Sequence, residues 1–329
     1  MPKSIVLQDM ANIGSNLNKA KSIIQSGGLV AIPTETVYGL GADALNPDAV
    51  ASVFSTKNRP TFDPLITHIS SIGQVDSYTL RWSNKAWALA KKFWPGPLTL
   101  LLPKSNSIPD LVTSGMEKVA VRIPKSELTL KLLNLLKSPL VAPSANPFGY
   151  VSPTNPKHVE DQLGNKIPYI LDGGECEIGI ESTIVGFDSE DNATVYRLGG
   201  LSVDDIKNEI GDVQITAHST SNPQAPGMLK SHYSPKVKIK LGNIYAGLDK
   251  IKEIDQVGII SFMQPVQKVP PNHQVVLAPD GSLKTAAKNL FSALRYMDTI
   301  NISTLLIEEV PDYGLGEAIN DRLRRAAVK

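Results

Sequence analysis

Five short polar strings in this chain could do chemistry, and most of them follow directly on an apolar run. The first is Pro33-Thr34-Glu35-Thr36-Val37-Tyr38-Gly39-Leu40-Gly41, where hydroxyls and glycines either admit a small polar ligand close to the backbone or make an ordinary turn. The second, Lys57-Asn58-Arg59-Pro60-Thr61-Phe62-Asp63-Pro64-Leu65, sets two cations two residues apart. Pro60 pushes Arg59 out of helical geometry, and an extended segment would aim both cations the same way. An ammonium beside a guanidinium fork suits a polyphosphate or a bicarbonate; two solvated charges behind a helix are the competing reading. Third is Arg122 in the apolar run Val119 to Ile123, a cation that needs either an acid or an anionic ligand and by itself favours the acid. Ala142-Pro143-Ser144-Ala145-Asn146-Pro147 through Ser152-Pro153-Thr154 is the fourth, with small hydroxyl and amide groups that suit phosphates or ribose, or a proline-rich turn. The fifth joins Asp172-Gly173-Gly174 to Gly179-Ile180-Glu181-Ser182-Thr183, with Arg197 ending the next run before Gly199-Gly200.

Other chemistries find no residues. The chain has no GxxxxGK[ST] loop, no GxGxxG after a strand, no HExxH and no GxSxG elbow. His68 stands alone in the run Leu65 to Ile69, which reads as a core or edge position rather than a metal ligand. The single cysteine, Cys176, can make neither an internal disulfide nor a CxxC zinc site, and flanking acids raise its pKa rather than activate it.

These strings must be positioned by an α/β framework. Strand-like runs at Leu29 to Ile32, Leu65 to Ile69, Leu98 to Leu102, Val119 to Ile123, Leu140 to Ala142, Tyr169 to Leu171, Thr183 to Phe187 and Thr194 to Arg197 alternate with helix-period segments. The helical segments are Asn16 to Ser26, Asn46 to Ser55, Ser83 to Trp94, Glu127 to Leu136, Pro156 to Gln162 and Ser202 to Ile210. Asn46-Pro47 and the Ser202/Asp205 pair give two of them N-terminal caps. Residues 1–210 therefore form one domain with a mixed sheet. Residues 211–235 lose the pattern and predict a linker or a lid. Alternation returns over 236–329, with strands at Val237 to Leu241, Val257 to Phe262, Val275 to Ala278 and Thr304 to Ile307, and helices at Ser282 to Thr299 and Gly316 to Ala327. That order predicts a small parallel, Rossmann-like sheet.

Composition fits a globular protein: 42% hydrophobic, 20% charged and net +1, so any anion site is built locally rather than by a global field. No apolar stretch at the N-terminus is long enough for a signal peptide, and the expected compartment is the cytoplasm.

Taken in order, Pro33 to Gly41, Lys57 to Leu65, Pro143 to Thr154, Asp172 to Val185 and Arg197 resemble the YrdC-like domain of the threonylcarbamoyl-AMP synthase family. Ala225-Pro226-Gly227-Met228, His232-Tyr233 and Arg322-Leu323-Arg324-Arg325-Ala326 are similar to its longer two-domain form. The resemblance implies condensation of L-threonine, bicarbonate and ATP, with Mg2+, and a downstream transferase acting on tRNA. It implies that Thr36, His68, Arg122, Ala142 and Ser182 hold threonine, with Arg122 on its carboxylate. It implies that Lys57, Arg59, Asp63, Lys118, Ser144, Ser152, Arg197, His232 and Tyr233 attend the nucleotide, Lys57 and Arg59 as the catalytic cations. Asp63 stands where the family pattern suggests an uncharged amide, and an acid beside phosphates helps only if it meets magnesium. The linker is expected to cover the nucleotide. Two rivals are an RNA-binding module, disfavoured by the near-zero charge, and carbamoyl transfer in hydrogenase maturation, whose zinc modules one cysteine cannot build.

Overall fold

The structure, a computed structural model, describes residues 11–216, 225–226, 228, 233–251 and 253–328. A first sheet takes eleven strands: β1 Asn12–Gly14, β2 Val30–Ile32, β3 Gly39–Asp43, β4 Ile66–His68, β5 Leu98–Pro103, β6 Lys118–Arg122, β7 Leu140–Val141, β8 Tyr169–Leu171, β9 Thr183–Phe187, β10 Ala193–Arg197 and β11 Val213–Ile215. Their order is β1-β8-β2-β3-β7-β4-β6-β5-β9-β10-β11, with parallel and antiparallel neighbours mixed. Helices α1 Leu17–Gln25, α2 Pro47–Lys57, α3 Asn84–Phe93, α4 Asp110–Thr113, α5 Glu127–Leu136, α6 Pro156–Leu163 and α7 Val203–Ile210 connect them.

A second sheet holds β12 Lys238–Leu241, β13 Val257–Ser261, β14 Gln274–Val276 and β15 Thr304–Ile307 in the order β12-β15-β13-β14, all parallel. Helices α8 Ile244–Leu248, α9 Leu283–Met297 and α10 Leu315–Ala326 accompany it. The mixed first sheet and the small parallel second sheet are those expected. Among the described residues no helix is long and apolar enough to cross a membrane.

Local chemistry sets the boundaries that matter to the cavity described below. Asn46 caps α2 by accepting from the backbone N–H of Asp48 and Ala49, and Pro47 opens its first turn. Asn58, in the left-handed region at φ 52°, stops the helix just after Lys57. Ser202 accepts from Asp205 N at 3.1 Å and donates to the Asp205 carboxylate. Three strands were not expected; one of them, β1, precedes the first expected helix and pairs with β8 at the opposite edge of the sheet from β11. Gly-Leu-Gly-Ala-Asp of β3 has little β-propensity, yet it closes an antiparallel hairpin with β2, so Pro33 to Tyr38 is the hairpin loop. β11 lies within the stretch read as linker and pairs with β10 at the sheet edge.

The two sheets share apolar packing. Val37, Val151 and Ile180 of the first domain are buried in one cluster with Phe291, Leu290 and Ala287 of the second. At that seam Gly179 (φ +83°) lies so close to α9 that a Cβ would come within 2.5 Å of the Lys288 Cα, which leaves room only for glycine.

Candidate active site

One cavity gathers most of the polar strings. Thr34, Thr36, Gly39, Arg59, His68, Arg122, Ala142, Ser144, Glu181, Arg197, Pro226 and Tyr233 all line it. The hairpin loop between β2 and β3 is stitched to the Ser144 loop: Tyr38 N donates to Pro153 O at 2.9 Å, Leu40 N to Pro143 O at 2.6 Å and Ala145 N to Tyr38 O at 2.8 Å. A Cβ on Gly39 would meet the Ala142 side chain at 2.9 Å, so glycine allows this approach.

Parallel pairing of β4 with β6 places His68 directly beside Arg122. The His68 Nδ1 lies 3.2 Å from Ile66 O, and burial, followed by the charge of Arg122, lowers the imidazole pKa to about 3. His68 is therefore neutral. Arg122 does both things the sequence left open: Nη2 pairs with Glu35 Oε1 at 2.8 Å, and the side chain lines the cavity. Glu35 Oε2 in turn accepts from Lys125 N at 2.9 Å. Thr36 is fully buried, its hydroxyl 2.8 Å from that of Thr34.

Arg59 is held by Asp63 O at 3.1 Å, Pro64 O at 2.8 Å and the Asp63 carboxylate at 2.9 Å. Asp63, fully buried, is thus the counter-ion of Arg59 rather than a residue of the cavity wall. Lys57 is also placed behind the wall. Its ammonium donates to the carbonyl oxygens of Ser144 and Asn146, and burial and then Arg59 hold its pKa well below the usual lysine value. Ser144 itself lines the cavity.

Arg197 donates from Nε to Ser182 O at 3.0 Å, from Nη2 to Ser182 Oγ at 3.0 Å and from Nη1 to Pro226 O at 3.3 Å. Burial lowers its pKa to about 10, still cationic at neutral pH. Ser182 and Ser152 are buried just behind: Thr99 Oγ1 lies 2.8 Å from Ser182 Oγ, and Ser152 Oγ donates to Glu181 Oε1 at 2.6 Å. Tyr233 closes one side, stacked on Phe291 with centroids 5.5 Å apart. Lys118 is elsewhere, at the far end of β6 from Arg122, donating to Phe187 O at 2.6 Å in a separate cleft with Trp82 and Asp188. His232 lies outside the described residues.

The sequence reading gave no individual role to Glu35, Glu181 or Thr34, whereas Pro226, expected only as part of the covering linker, lines the cavity. Two acids inside polar strings near otherwise unpartnered arginines were the available signal. Cys176 is buried, and burial together with Glu35 pushes its thiol pKa up, so it is not a thiolate.

A buried cavity with a neutral imidazole, threonine hydroxyls and a paired arginine, and two more arginines on the same wall, is built to position substrates by charge and hydrogen bonds. Its class is that of enzymes joining a small polar molecule to a phosphate-bearing one. The family model described as Telomere recombination, covering Sua5, YciO and YrdC proteins, matches residues 22–199; a second, described as Threonylcarbamoyl-AMP synthase, C-terminal domain, matches residues 201–328. The threonylcarbamoyl-AMP synthase of Pyrococcus abyssi is 40% identical, with 94% of this chain and 93% of that one covered. That of Bacillus subtilis is 35% identical, with 98% and 96% covered. A crystal structure of P. abyssi Sua5 complexed with L-threonine aligns with a TM-score of 0.87 at 38% identity, covering 96% of this chain and 97% of that one. The chain belongs to the threonylcarbamoyl-AMP synthase family and is a nucleotidyl-transferring enzyme.

Proposed function

We propose that the enzyme condenses L-threonine, bicarbonate and ATP to threonylcarbamoyl-AMP and pyrophosphate, supplying a transferase that modifies adenosine in tRNA. The observation that supports this most is the single cavity holding both an amino-acid-sized polar group (Thr36, His68, Arg122) and two arginines suited to phosphate (Arg59, Arg197). In this reading the threonine amine adds to the carbon of bicarbonate-derived CO2 and loses a proton, giving a carbamate. A carbamate oxygen then attacks the α-phosphorus, the bond to the β-phosphate bridging oxygen breaks, and pyrophosphate leaves. No protein nucleophile takes part.

Arg122 would take the threonine carboxylate without surrendering Glu35, since a guanidinium fork has donors for both. Neutral His68 would hydrogen-bond without adding charge against the threonine ammonium. Thr36 and the backbone at Ala142 would complete that subsite, with Ser182 behind it. Arg59, Ser144, Arg197 and Tyr233 would face the nucleotide. Lys57, Ser152 and Asp63 would act one layer out in the geometry seen here, the Lys57 ammonium reaching a phosphate only if the Ser144 and Asn146 carbonyls release it. Magnesium would arrive with the ATP phosphates; among the described residues no three His, Cys, Asp or Glu side chains gather as a metal site. Pro226 and Tyr233 on the cavity wall support a linker that covers the nucleotide and keeps water from the mixed anhydride.

Pyrophosphate release from ATP, measured with and without L-threonine and bicarbonate and with serine as control, tests the proposal. Release requiring both co-substrates is expected. Threonine-independent release, or salt-sensitive tRNA binding without turnover, overturns it.

A further inference from the structure

Arg322 is the bulkiest fully buried side chain among the described residues, and although α10 carries it, its bonds reach into the first domain. Nε donates to Glu181 Oε2 at 3.0 Å and Nη2 to Leu198 O at 2.7 Å, while Nη1 meets its neighbour Asp321. Its guanidinium also lies 5.0 Å from the centre of the Tyr233 ring. These contacts converge on the wall attributed above to the nucleotide. Glu181 lines the cavity and precedes Ser182; Leu198 follows Arg197; Tyr233 lines the cavity. The motif Arg322 to Ala326 has no part in the chemistry proposed so far.

Glu181 sits within electrostatic reach of two buried guanidiniums, Arg322 and Arg197. Burial alone would raise its pKa; Arg322, then Arg197 and the Ser152 hydroxyl, outweigh that and keep it ionised. Arg322 takes Glu181 directly, whereas Arg197 directs its hydrogen bonds to Ser182 and Pro226. Without Arg322 a buried carboxylate would lose its ion pair, and Arg197 is the cation left to neutralise it. Turning toward Glu181 would draw Arg197 away from Ser182 and Pro226 and tie up its free face within the cavity.

We propose that Arg322 is a positioning residue for the nucleotide: by occupying Glu181 it keeps the Arg197 guanidinium facing the cavity, and by lying against Tyr233 it fixes the aromatic wall. The second domain thus contributes to ATP binding without touching ATP. This rests on the reading that the nucleotide lies beside Arg197.

The test is steady-state pyrophosphate release by the full-length enzyme. Arg322→Met is expected to raise the KM for ATP on the order of tenfold with a smaller change in kcat, as loss of binding geometry requires. Arg322→Lys should return part of the affinity, because it restores a cation to Glu181. Adding Glu181→Gln to Arg322→Met should lower the ATP KM relative to Arg322→Met alone, since no carboxylate remains to capture Arg197. A merely structural role would cut the folded fraction, and hence the apparent kcat, while leaving the ATP KM within about twofold of wild type. That result, or a double variant no better than Arg322→Met, overturns the proposal. Should Arg322→Met not purify folded, Arg322→Lys and the neutral pair read the same quantity. Arg197→Met separates the two levels. If it leaves the ATP KM unchanged, the underlying placement of the nucleotide fails as well; if it raises the KM and Arg322→Met does not, only the positioning role fails.

Discussion

Arg122 is buried, paired and on the cavity wall at once. Its cost of burial is met by Glu35, itself tied to Lys125 N and nearly solvent-free. Glu35→Gln keeps the shape and removes the charge, leaving an uncompensated guanidinium. We expect a loss of about 3–5 kcal/mol in unfolding free energy by denaturant titration, of the size found when one partner of a buried pair is removed. A loss below about 1 kcal/mol would mean that Arg122 is neutralised elsewhere. His68 makes a second prediction. Its folded pKa of about 3 lies below the ordinary value of about 6.5, so on acidification the unfolded chain takes up a proton that the folded chain refuses. The stability linked to His68 is intact above pH 6.5 and drains away between about pH 6.5 and 3, at up to about 1.4 kcal/mol per pH unit. The difference in stability between wild type and His68→Gln should shrink on acidification across that window; a constant difference would mean that His68 titrates normally. These residues also show what could be read from sequence. An arginine ending an apolar strand announces its own need for an anion, so Arg122 was legible, along with its two possible partners. Lys57 and Asp63 were legible as charged groups in the right string, but not in their orientation, because their partners are main-chain carbonyls and a neighbouring guanidinium that only the folded loop supplies. Glu181 went unassigned because its partner lies 141 residues further on.

Strand and helix ends, more than their interiors, build the cavity. His68 ends β4, Arg122 ends β6 and Arg197 ends β10, while Lys57, which ends α2, backs the wall through the Ser144 and Asn146 carbonyls. These ends were visible because each follows an apolar run or a capped helix whose limits are set locally, as at Asn46 and Asn58. β3 was invisible: a strand of Gly-Leu-Gly-Ala-Asp, buried almost throughout, shows neither alternation nor β-branched residues, and it is a strand only because β2 and β7 flank it. Gly199 tests how closely the element ends must approach. A Cβ there would fall 2.3 Å from Glu181 O, 2.5 Å from Ser182 C and 2.6 Å from Thr183 N, all backbone atoms at the start of β9. Backbone cannot step aside as a side-chain tip can. Gly199→Ala should therefore push β9 and β10 apart where Arg197 holds Ser182, and activity should fall by on the order of a hundredfold or more, with a stability loss of about 1–3 kcal/mol from overpacking. Near-wild-type turnover in Gly199→Ala would show that the Arg197–Ser182 contact is not needed for the reaction.

Across the whole molecule, the second domain is bolted to the loop that frames the cavity. Arg295 of α9 donates to the carbonyls of Val151 and Ser152 and to Gln162, and Asp298 at the end of the same helix binds Tyr150. Asp298 does double duty. Its carboxylate accepts the Tyr150 hydroxyl at 2.6 Å and the N–H groups of Lys236 and Val237 at 2.8 and 3.2 Å, so one side chain holds both the first domain's loop and the chain's entry into β12. Strand and helix periodicity made the two sheets legible, since each is assembled from local runs. The seam between them was not, because Tyr150 and Asp298 carry no pattern that pairs them over 148 residues. The seam is testable with a double-mutant cycle. Asp298→Ala removes the acceptor that three donors share and is expected to cost about 1–3 kcal/mol. Tyr150→Phe removes only the cross-domain bond and leaves the carboxylate its backbone partners, at about 1 kcal/mol. If the two side chains act through their contact, the double variant will be scarcely less stable than Asp298→Ala alone, since the Tyr150 hydroxyl has already lost its acceptor. Full additivity in the measured unfolding free energies would mean that the Tyr150–Asp298 bond adds nothing to the joining of the domains, which would then rest on the Arg295 and Arg322 contacts and on the apolar cluster of Val37, Val151, Ile180 and Phe291.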